Sequence, residues 1–283
     1  MSNHFTWISK NSDHTAGMRC GASVMFTIAT LVSDDLQYDE MLHSFQANGF
    51  TDDCEYLALD NRGGNSFEAY GGVKLVLERA KGRYVLVCHQ DVRLLSEGRS
   101  ELLERLAELD VIDPLWALAG NAGVGANGVA KRISDPYGED QRDGVFPAKV
   151  NSLDENFIVI RRGAMIAPSA DLAGFHLYGT DLCLQGSIRG HSAYVIDFHL
   201  RHLSAGAMGR DYYRCLEALE DKYAGVLQPR TIQTTCLAPV ITASPWRRAL
   251  TRLLRLRKKL KKLRLEKHAR ATVPKGENQP DRG

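Results

Sequence analysis

The segment over residues 84–94, YVLVCHQDVRL, constrains the fold of this chain more than any other. It begins with a short, valine-rich apolar run, which is typical of a central strand of a parallel sheet because both faces of such a strand are buried. The run ends at His89, Gln90 and Asp91, so a carboxylate closely follows the predicted strand. Ligands of open α/β sheets bind beyond the carboxyl ends of the strands. From the pattern alone, Asp91 is either the partner of a divalent cation that holds a diphosphate or the cap of the next helix.

The preceding segments alternate between strand and helix patterns. Strands are predicted at residues 23–32 and 56–59, and helices over about 35–48 and 66–81, each ending near a glycine. Together with the apolar run they predict a right-handed βαβαβ unit with parallel strands. This is the arrangement of a nucleotide-binding half-domain.

The rest of the chain continues the α/β pattern around one glycine-rich segment. Residues 121–147 are crowded with Gly, Asn and Asp, which predicts a long loop that acts as a lid. The other predicted elements are a helix over 98–109, a strand over 116–120, a strand over 150–160, a helix from about 180, a strand over 193–199 and a helix over 208–223.

The composition is that of an ordinary globular protein, because 44% of the 283 residues are hydrophobic and 25% are charged. The six cysteines are scattered without a CxxC pair, so we expect thiols in a reducing compartment and neither a disulfide framework nor a zinc site. The first twenty residues are polar and lack a hydrophobic centre. A flexible leader over 1–20 and a cytoplasmic protein are therefore expected.

The end of the chain differs from the body in charge. Residues 246–267 contain eleven Lys or Arg and one acid, whereas the whole chain has a net charge of only +2. Apolar residues recur there close to helical spacing, at Trp246, Leu250, Leu253, Leu254, Leu256, Leu260 and Leu263. The pattern predicts a basic amphipathic helix, within a separate tail over 241–283, that binds an anionic membrane surface. A partner helix or nucleic acid is the alternative, with nucleic acid the least favoured because of the apolar stripe.

Four blocks of the sequence resemble those of a known family. His89-Gln90-Asp91-Val92 is similar to the HQDV signature of a glycosyltransferase-like family related to the family 2 transferases of the GT-A fold. The other blocks follow in the expected order: SFEAY at 66–70, LD with IVIRR at 153–162, and FHLYGTDLCLQ at 175–185 followed by Gly190, Asp197 and His202-Leu203-Ser204. The resemblance covers roughly residues 23–206. The chain departs from the family pattern at Gly71-Gly72, where the family carries Asn, and at Thr180, where it carries Glu.

The resemblance implies an α/β fold with a GT-A-like, Rossmann-type mixed sheet flanked by helices, in one domain over residues 21–240. It further implies transfer of a sugar from a nucleotide-sugar donor to a lipid-linked or surface-polysaccharide acceptor. Such a transfer would be inverting and dependent on Mn²⁺ or Mg²⁺. With the basic tail, the expected location is the cytoplasmic face of the membrane.

The resemblance also implies roles for individual residues. Asp91 and His202 would hold the metal ion, and Asp181 would be the general base that takes the proton of the acceptor hydroxyl. The implied donor-binding set is Asp60, Asn61, Gln90, Asp91 and Asp154. From the residues alone, the alternatives are a helix cap for Asp181, a turn for Asp60 and Asn61, the end of a strand for Asp154 and a structural histidine for His202.

Two other classes of function stay open. The departures at Gly71-Gly72 and Thr180 are those expected of a nucleotide-sugar binding module that has lost turnover. A nucleic-acid-binding protein that acts through its basic tail is the second alternative.

Overall fold

The computed structural model describes residues 7–8, 24–206 and 208–257. The strands are β1 (Trp7–Ile8), β2 (Phe26–Val32), β3 (Cys54–Asp60), β4 (Tyr84–Cys88), β5 (Val92–Leu94), β6 (Trp116–Gly120), β7 (Ala122–Gly125), β8 (Gly128–Asp135), β9 (Gly138–Asp143), β10 (Ala148–Val150), β11 (Ser152–Leu153), β12 (Phe157–Arg161), β13 (Ser192–Val195), β14 (Leu200–His202), β15 (Arg230–Thr231) and β16 (Val240–Ile241). The α-helices are α1 (Asp35–Ala47), α2 (Ala69–Arg79), α3 (Arg99–Ile112), α4 (Tyr178–Ile188) and α5 (Arg210–Tyr223), and residues 245–257 are also helical.

The main sheet has eight strands in the order β1-β3-β2-β4-β12-β6-β13-β10. Strands β3, β2 and β4 are parallel neighbours, which confirms the predicted βαβαβ unit. Strand β12 runs antiparallel to both β4 and β6, so the sheet is mixed. The predicted fold class, a mixed α/β sheet flanked by helices, is confirmed.

Both faces of the main sheet are covered, and β4 shows why its sequence is almost wholly apolar. Val85 and Val87 point into the core under α2 and α4, whereas Tyr84, Leu86 and Cys88 point into the core under α1 and α3. All five residues are buried. An alternating apolar and polar pattern would have exposed one face of this strand.

A second sheet, in the order β11-β7-β8-β14-β5 with β9 paired to β8, lies at the carboxyl ends of the central strands. It contains most of residues 121–147, so the prediction of a long loop there is wrong. Gly123 and Gly125 are needed for close strand approach, because a Cβ atom would lie 2.4 Å from the Ser152 carbonyl oxygen at the first position and 2.3 Å from that of Lys149 at the second. The glycines that predicted a flexible loop instead permit tight packing between strands.

The predicted single strand over 150–160 is also broken in the structure. Strands β10, β11 and β12 share this segment, and a turn over residues 154–156 separates β11 from β12. The turn lies beside the end of β4, because the His89 amide donates to the Asn156 carbonyl oxygen at 3.0 Å.

The helical residues 245–257 pack against α5 through ion pairs. Arg255 forms a bidentate pair with the buried Glu220, at 2.7 and 3.0 Å. Arg248 and Arg252 pair with Asp221. The apolar residue Trp246 remains 86% exposed, and Leu250, Leu253, Leu254 and Leu256 are exposed as well.

Several predicted segments fall outside the described residues. These are the tail beyond residue 257, with Leu260 and Leu263, and all of the leader 1–20 except residues 7–8, which form the edge strand β1 on β3. None of the helices described is long and apolar enough to cross a membrane. Of the cysteines described, Cys88, Cys183 and Cys215 are buried free thiols, Cys54 is a partly buried one and Cys236 an exposed one.

Candidate active site

A cleft of about 1050 Å³ opens where the central strands of the main sheet meet the second sheet. The carboxyl end of β4 forms its floor with Cys88, His89, Gln90 and Asp91. Strands β8 and β9, the turn over residues 154–156 and the segment that leads into α4 form the walls. The site therefore lies where ligands bind in open α/β sheets.

Three metal-ligating side chains converge at the floor of the cleft. His89, Asp91 and His202 each offer one ligand atom, and these atoms lie within 4.8 Å of one another. His202 Nε2 is 3.3 Å from His89 Nδ1 and 3.4 Å from Asp91 Oδ1, and His89 Nδ1 is 4.0 Å from Asp91 Oδ1. Residues 113 positions apart in the chain are thus brought together.

Strand pairing places His202 opposite the end of β4. Asp91 leads directly into β5, and β5 pairs with β14 so that Val92 faces His202. The chain after β14 then folds over Asp91: the Leu203 amide donates to the Asp91 carbonyl oxygen at 3.1 Å, and the Ser204 amide donates to Asp91 Oδ2 at 3.1 Å. The carboxylate is held with Oδ1 facing the two imidazoles.

The electrostatics of the cluster favour a charged carboxylate. Burial acts to raise the pKa of Asp91, but its hydrogen bonds with His202 and Ser204 and the charge of His202 lower that pKa well below its usual range. Burial acts to lower the pKa of His202, but Asp91 raises it overall. Burial and the neighbouring His202 lower the pKa of His89. A neutral imidazole and an anionic carboxylate are the forms that bind a metal ion.

The donor set fits a divalent cation. Two imidazoles and one carboxylate are a set that transition ions accept readily, whereas Mg²⁺ prefers oxygen ligands alone. Of the two ions predicted from sequence, these residues therefore suit Mn²⁺ better than Mg²⁺. His89, Asp91 and His202 would hold such an ion, and other oxygen ligands would complete its coordination.

Two predicted donor-binding residues, Gln90 and Asn61, border the cleft but use their amides to brace its loops. Gln90 Oε1 accepts from the amides of Ser33 and Asp34 at 2.8 and 3.1 Å. Asn61 exchanges two hydrogen bonds with the backbone of Phe67, at 2.9 and 2.8 Å. Their side chains therefore hold the turns after β2 and β3 in shape around the cleft.

Asp154 and Asp60 differ in their relation to the cleft. Asp154 borders it, and its carboxylate accepts from the Asn156 side chain at 2.8 Å and from the Thr235 hydroxyl at 3.0 Å. Asp60 is not among the residues that border it, and its carboxylate is paired with Arg62 at 2.8 and 2.9 Å. The hydrogen bonds from Arg62 lower the pKa of Asp60 to about 2. The geometry therefore favours the turn interpretation for Asp60.

Asp181, the predicted general base, lies outside the cleft, and its side chain is fully buried. Its Oδ2 accepts from the Ser169 amide at 2.7 Å, and its Oδ1 accepts from the Ser169 and Tyr223 hydroxyls at 2.7 and 2.6 Å. A carboxylate that is sealed from the cleft and engaged with three donors cannot reach an acceptor hydroxyl. This geometry does not support the base role. Asp181 also does more than cap α4, because its hydrogen bonds connect α4 to α5 through Tyr223.

Three residues of the site were not predicted from the sequence: His89 as a ligand, Glu155 and His176. The spacing of His89 two residues before Asp91 was the available signal for a ligand pair. Glu155 follows the predicted donor residue Asp154 directly, and His176 lies within the family block at 175–185. Neither pattern distinguishes a residue facing the cleft from one facing the core.

Comparison with known proteins shows a similarity in sequence. No family model matches the chain, so the HQDV family remains a prediction from motifs. Over 210 residues the chain is 41% identical to the "ATP synthase subunits region ORF 6" protein of Fuscovulum blasticum. The match covers 71% of this chain and 84% of that protein, whose name states no activity.

Solved structures resemble the fold at low sequence identity. TarS from S. aureus aligns over 72% of this chain and 67% of its own, with a TM-score of 0.47 and 12% identity. The mannosyltransferase PcManGT from Pyrobaculum calidifontis, solved with GDP-Man and Mn²⁺, aligns over 71% of this chain and 63% of its own, with a TM-score of 0.46 and 12% identity. A197 from STIV aligns over 63% of this chain and 85% of its own, with a TM-score of 0.41 and 14% identity.

Proposed function

We propose that this chain, which belongs to the same family as the ATP synthase subunits region ORF 6 protein of Fuscovulum blasticum, is a glycosyltransferase that uses a nucleotide-sugar donor. The observation that carries the proposal is the convergence of His89, Asp91 and His202 on the floor of a large cleft at the carboxyl end of β4. The four sequence blocks that resemble the glycosyltransferase-like family lie around the same cleft.

The chemistry of sugar transfer accounts for this site. A nucleoside diphosphate leaves with negative charge, and a divalent cation bound by the three ligands would neutralise that charge. The volume of the cleft is sufficient for a nucleotide-sugar, since ligand pockets commonly measure about 300–1,000 Å³. The braced turns at Asn61 and Gln90 would form the wall against the nucleotide, and Asp154 would face the sugar.

The basic tail supports the part of the proposal that concerns the location and the acceptor. In the described part of the helix, Arg248, Arg252 and Arg255 face acids of α5, which leaves the apolar side chains Trp246 and Leu250 exposed. Such an exposed apolar row supports insertion at the interface of an anionic membrane. We therefore propose a peripheral enzyme on the cytoplasmic face, with a lipid-linked or surface-polysaccharide acceptor. The exposed apolar side chains weigh against nucleic acid, whose phosphates bind cations.

A nucleotide-sugar binding module without turnover is the second candidate. The burial of Asp181 favours it, because the acid predicted to act as base does not face the cleft. Binding of donor and metal would be the same in both candidates. Turnover is therefore the property that separates them.

The test begins with the thermal stability of the protein in UDP, GDP or dTDP, each with Mn²⁺, with Mg²⁺ or with EDTA. A ligand at 100 times its Kd stabilises the folded state by about 2.7 kcal/mol. We expect one nucleotide with Mn²⁺ to raise the melting temperature of the wild type. Asp91→Asn and His202→Ala should abolish that rise, whereas the exposed His43→Ala on α1 should retain it.

Failure of all three nucleotides to stabilise the wild type with either metal would reject a donor site. If binding is found, release of nucleoside diphosphate from UDP-GlcNAc, UDP-glucose, GDP-mannose and dTDP-rhamnose separates an enzyme from a binding module. Binding without release from any of these sugars would favour the module.

A further inference from the structure

Glu155 is a carboxyl group that borders the cleft and accepts hydrogen bonds only from backbone amides among the described residues. It lies in the turn between β11 and β12, next to the metal-ligand cluster, because the following residue, Asn156, accepts a hydrogen bond from the His89 amide at 3.0 Å. The register of the sheet then pairs Phe157 with Cys88. Glu155 borders the cleft beside Asp154.

The two adjacent acids have different surroundings. Asp154 is held by the Asn156 side chain and the Thr235 hydroxyl. Glu155 accepts from the Gly179 amide at the start of α4, at a long 3.3 Å, and from the Leu177 amide, and within the described part of the chain it forms no ion pair. Neighbouring carboxyl groups in different environments are the usual basis for separate roles in catalysis.

Gly179 permits this approach. A Cβ atom at that position would lie 2.6 Å from the Leu153 carbonyl oxygen and 3.3 Å from Glu155 Oε1. The absence of a side chain therefore lets the first turn of α4 close against the turn that carries Glu155. The same helix start leads on to the sealed Asp181.

The protonation behaviour of Glu155 agrees with a role in proton transfer. Burial, followed by the charge of Asp154, raises the pKa of Glu155 to about 8. A general base is most effective when its pKa lies near the pH at which the enzyme works.

We propose that Glu155 is the general base that accepts the proton of the acceptor hydroxyl, an inference that rests on the proposed glycosyltransferase function. The hydroxyl O–H bond breaks and its proton passes to a Glu155 carboxylate oxygen. The freed oxygen electron pair forms a bond to the anomeric carbon of the donor sugar. The bond from that carbon to the diphosphate oxygen breaks, and its electron pair leaves with the diphosphate.

The test compares Glu155→Gln with the wild type and with Glu104→Gln, a matched change of an exposed residue on α3. The nucleotide and metal that stabilise the wild type are titrated into each protein by calorimetry. Turnover is measured as hydrolysis of the corresponding nucleotide-sugar, in which water is the acceptor. We expect Glu155→Gln to bind the nucleotide within twofold of wild type while turnover falls by about 10²–10⁴-fold. Glu104→Gln should match the wild type in both.

The pH profile separates a base from a merely structural residue. Wild-type turnover should rise with pH, reach half of its plateau near pH 8 and level off above it, and the residual turnover of Glu155→Gln should lack that rise. Turnover of Glu155→Gln within threefold of wild type overturns the proposal, as does an equal loss of nucleotide binding, which would make Glu155 a donor contact. His176→Gln, a change at another residue that borders the cleft, is measured beside it. A loss of turnover in His176→Gln without one in Glu155→Gln would assign the base to His176 and also overturn the proposal. If the wild type binds no nucleotide, the glycosyltransferase function itself fails, which is a different outcome.

Discussion

Replacement of Asp181 should reduce stability and leave the activity of each folded molecule intact. The carboxylate is fully buried and accepts from one backbone amide and two hydroxyls. Gln185 donates to both of the hydroxyl oxygens, from Ser169 and Tyr223, at 3.0 and 2.9 Å. The group is therefore the centre of a network that joins the segment before α4 to α5.

The cost of Asp181→Ala follows from what each donor can do afterwards. One of the two hydroxyls can rotate to donate to the other, since their oxygens are already 3.5 Å apart, so the loss of net hydrogen bonding is about 1 kcal/mol for each. The Ser169 amide cannot rotate, and a buried donor without a partner costs about 1–3 kcal/mol. Part of this loss is offset, because burial of the carboxylate is itself unfavourable, as the raised pKa of Asp181 indicates, and the substitution removes that cost. We expect a net loss of about 2–4 kcal/mol.

Asp181→Asn should cost less, about 1–2 kcal/mol, because its carbonyl oxygen can still accept from the Ser169 amide while its NH₂ donates to the hydroxyl oxygens. Urea unfolding gives the free energy of unfolding, and nucleotide-sugar hydrolysis per folded molecule gives the activity. Asp181→Asn and Tyr223→Phe should be non-additive, because both act on one network. Full stability of Asp181→Asn with a large loss of turnover would refute the structural role and restore the base assignment.

Four further predictions concern other parts of the molecule. Arg255→Ala should lower the free energy of unfolding, measured by urea unfolding, by about 3 kcal/mol, because Glu220 is left buried without its cation. The control Arg257→Ala, at an exposed position, should change it by less than about 0.5 kcal/mol. Gly82→Ala should cost more than about 3 kcal/mol by the same assay, since its Cβ atom would lie 2.4 Å from the Thr27 backbone nitrogen, whereas Gly63→Ala has nothing within 4 Å and serves as its control. Between its ordinary pKa of 4.5 and about 8, Glu155 keeps its proton in the folded state, whereas the unfolded chain releases it, so the free energy of unfolding of the wild type should fall as the pH rises through this window and that of Glu155→Gln should not. The upper bound of this fall is about 5 kcal/mol, and we expect about 1–2 kcal/mol because the group borders the open cleft. Equal pH dependence of the two proteins would contradict the raised pKa of Glu155. Mn²⁺ should slow hydrogen exchange of the amides in β5 and β14 in the wild type, and an equal effect in His202→Ala would exclude that histidine as a ligand.

The sequence predicts the central part of the fold because its signals there are local. The apolar runs of β2 and β4 and the capping chemistry at Asp34, whose side chain accepts from the Gln37 amide, each act within a few residues. The second sheet was missed for the opposite reason. Glycines in a strand and glycines in a loop look alike in sequence, and only the partner strand reveals that Gly123 and Gly125 face a neighbouring backbone.

The site divides in the same way. Asp91 and Gln90 could be placed at the floor of the cleft because they follow a recognisable buried strand. The surroundings of Asp181 could not be predicted, because an acid in the first turn of a helix has the same sequence pattern whether it faces a cleft or a buried serine. Its partner Tyr223 lies 42 residues away, at a separation where no local signal exists.

The arrangement of the ligands explains why the second sheet is part of the site and more than a cover. His89 and Asp91 follow a strand of the main sheet, whereas His202 ends β14 of the second sheet. A cation bound by all three would join the two sheets across the cleft. Asp91 and His202 are connected through one strand pair, because β5 begins at the residue after Asp91 and pairs directly with β14, which ends at His202. The geometry of the cluster therefore depends on the register of one antiparallel strand pair, and a shift of that register by one residue would turn His202 to the opposite face of the sheet.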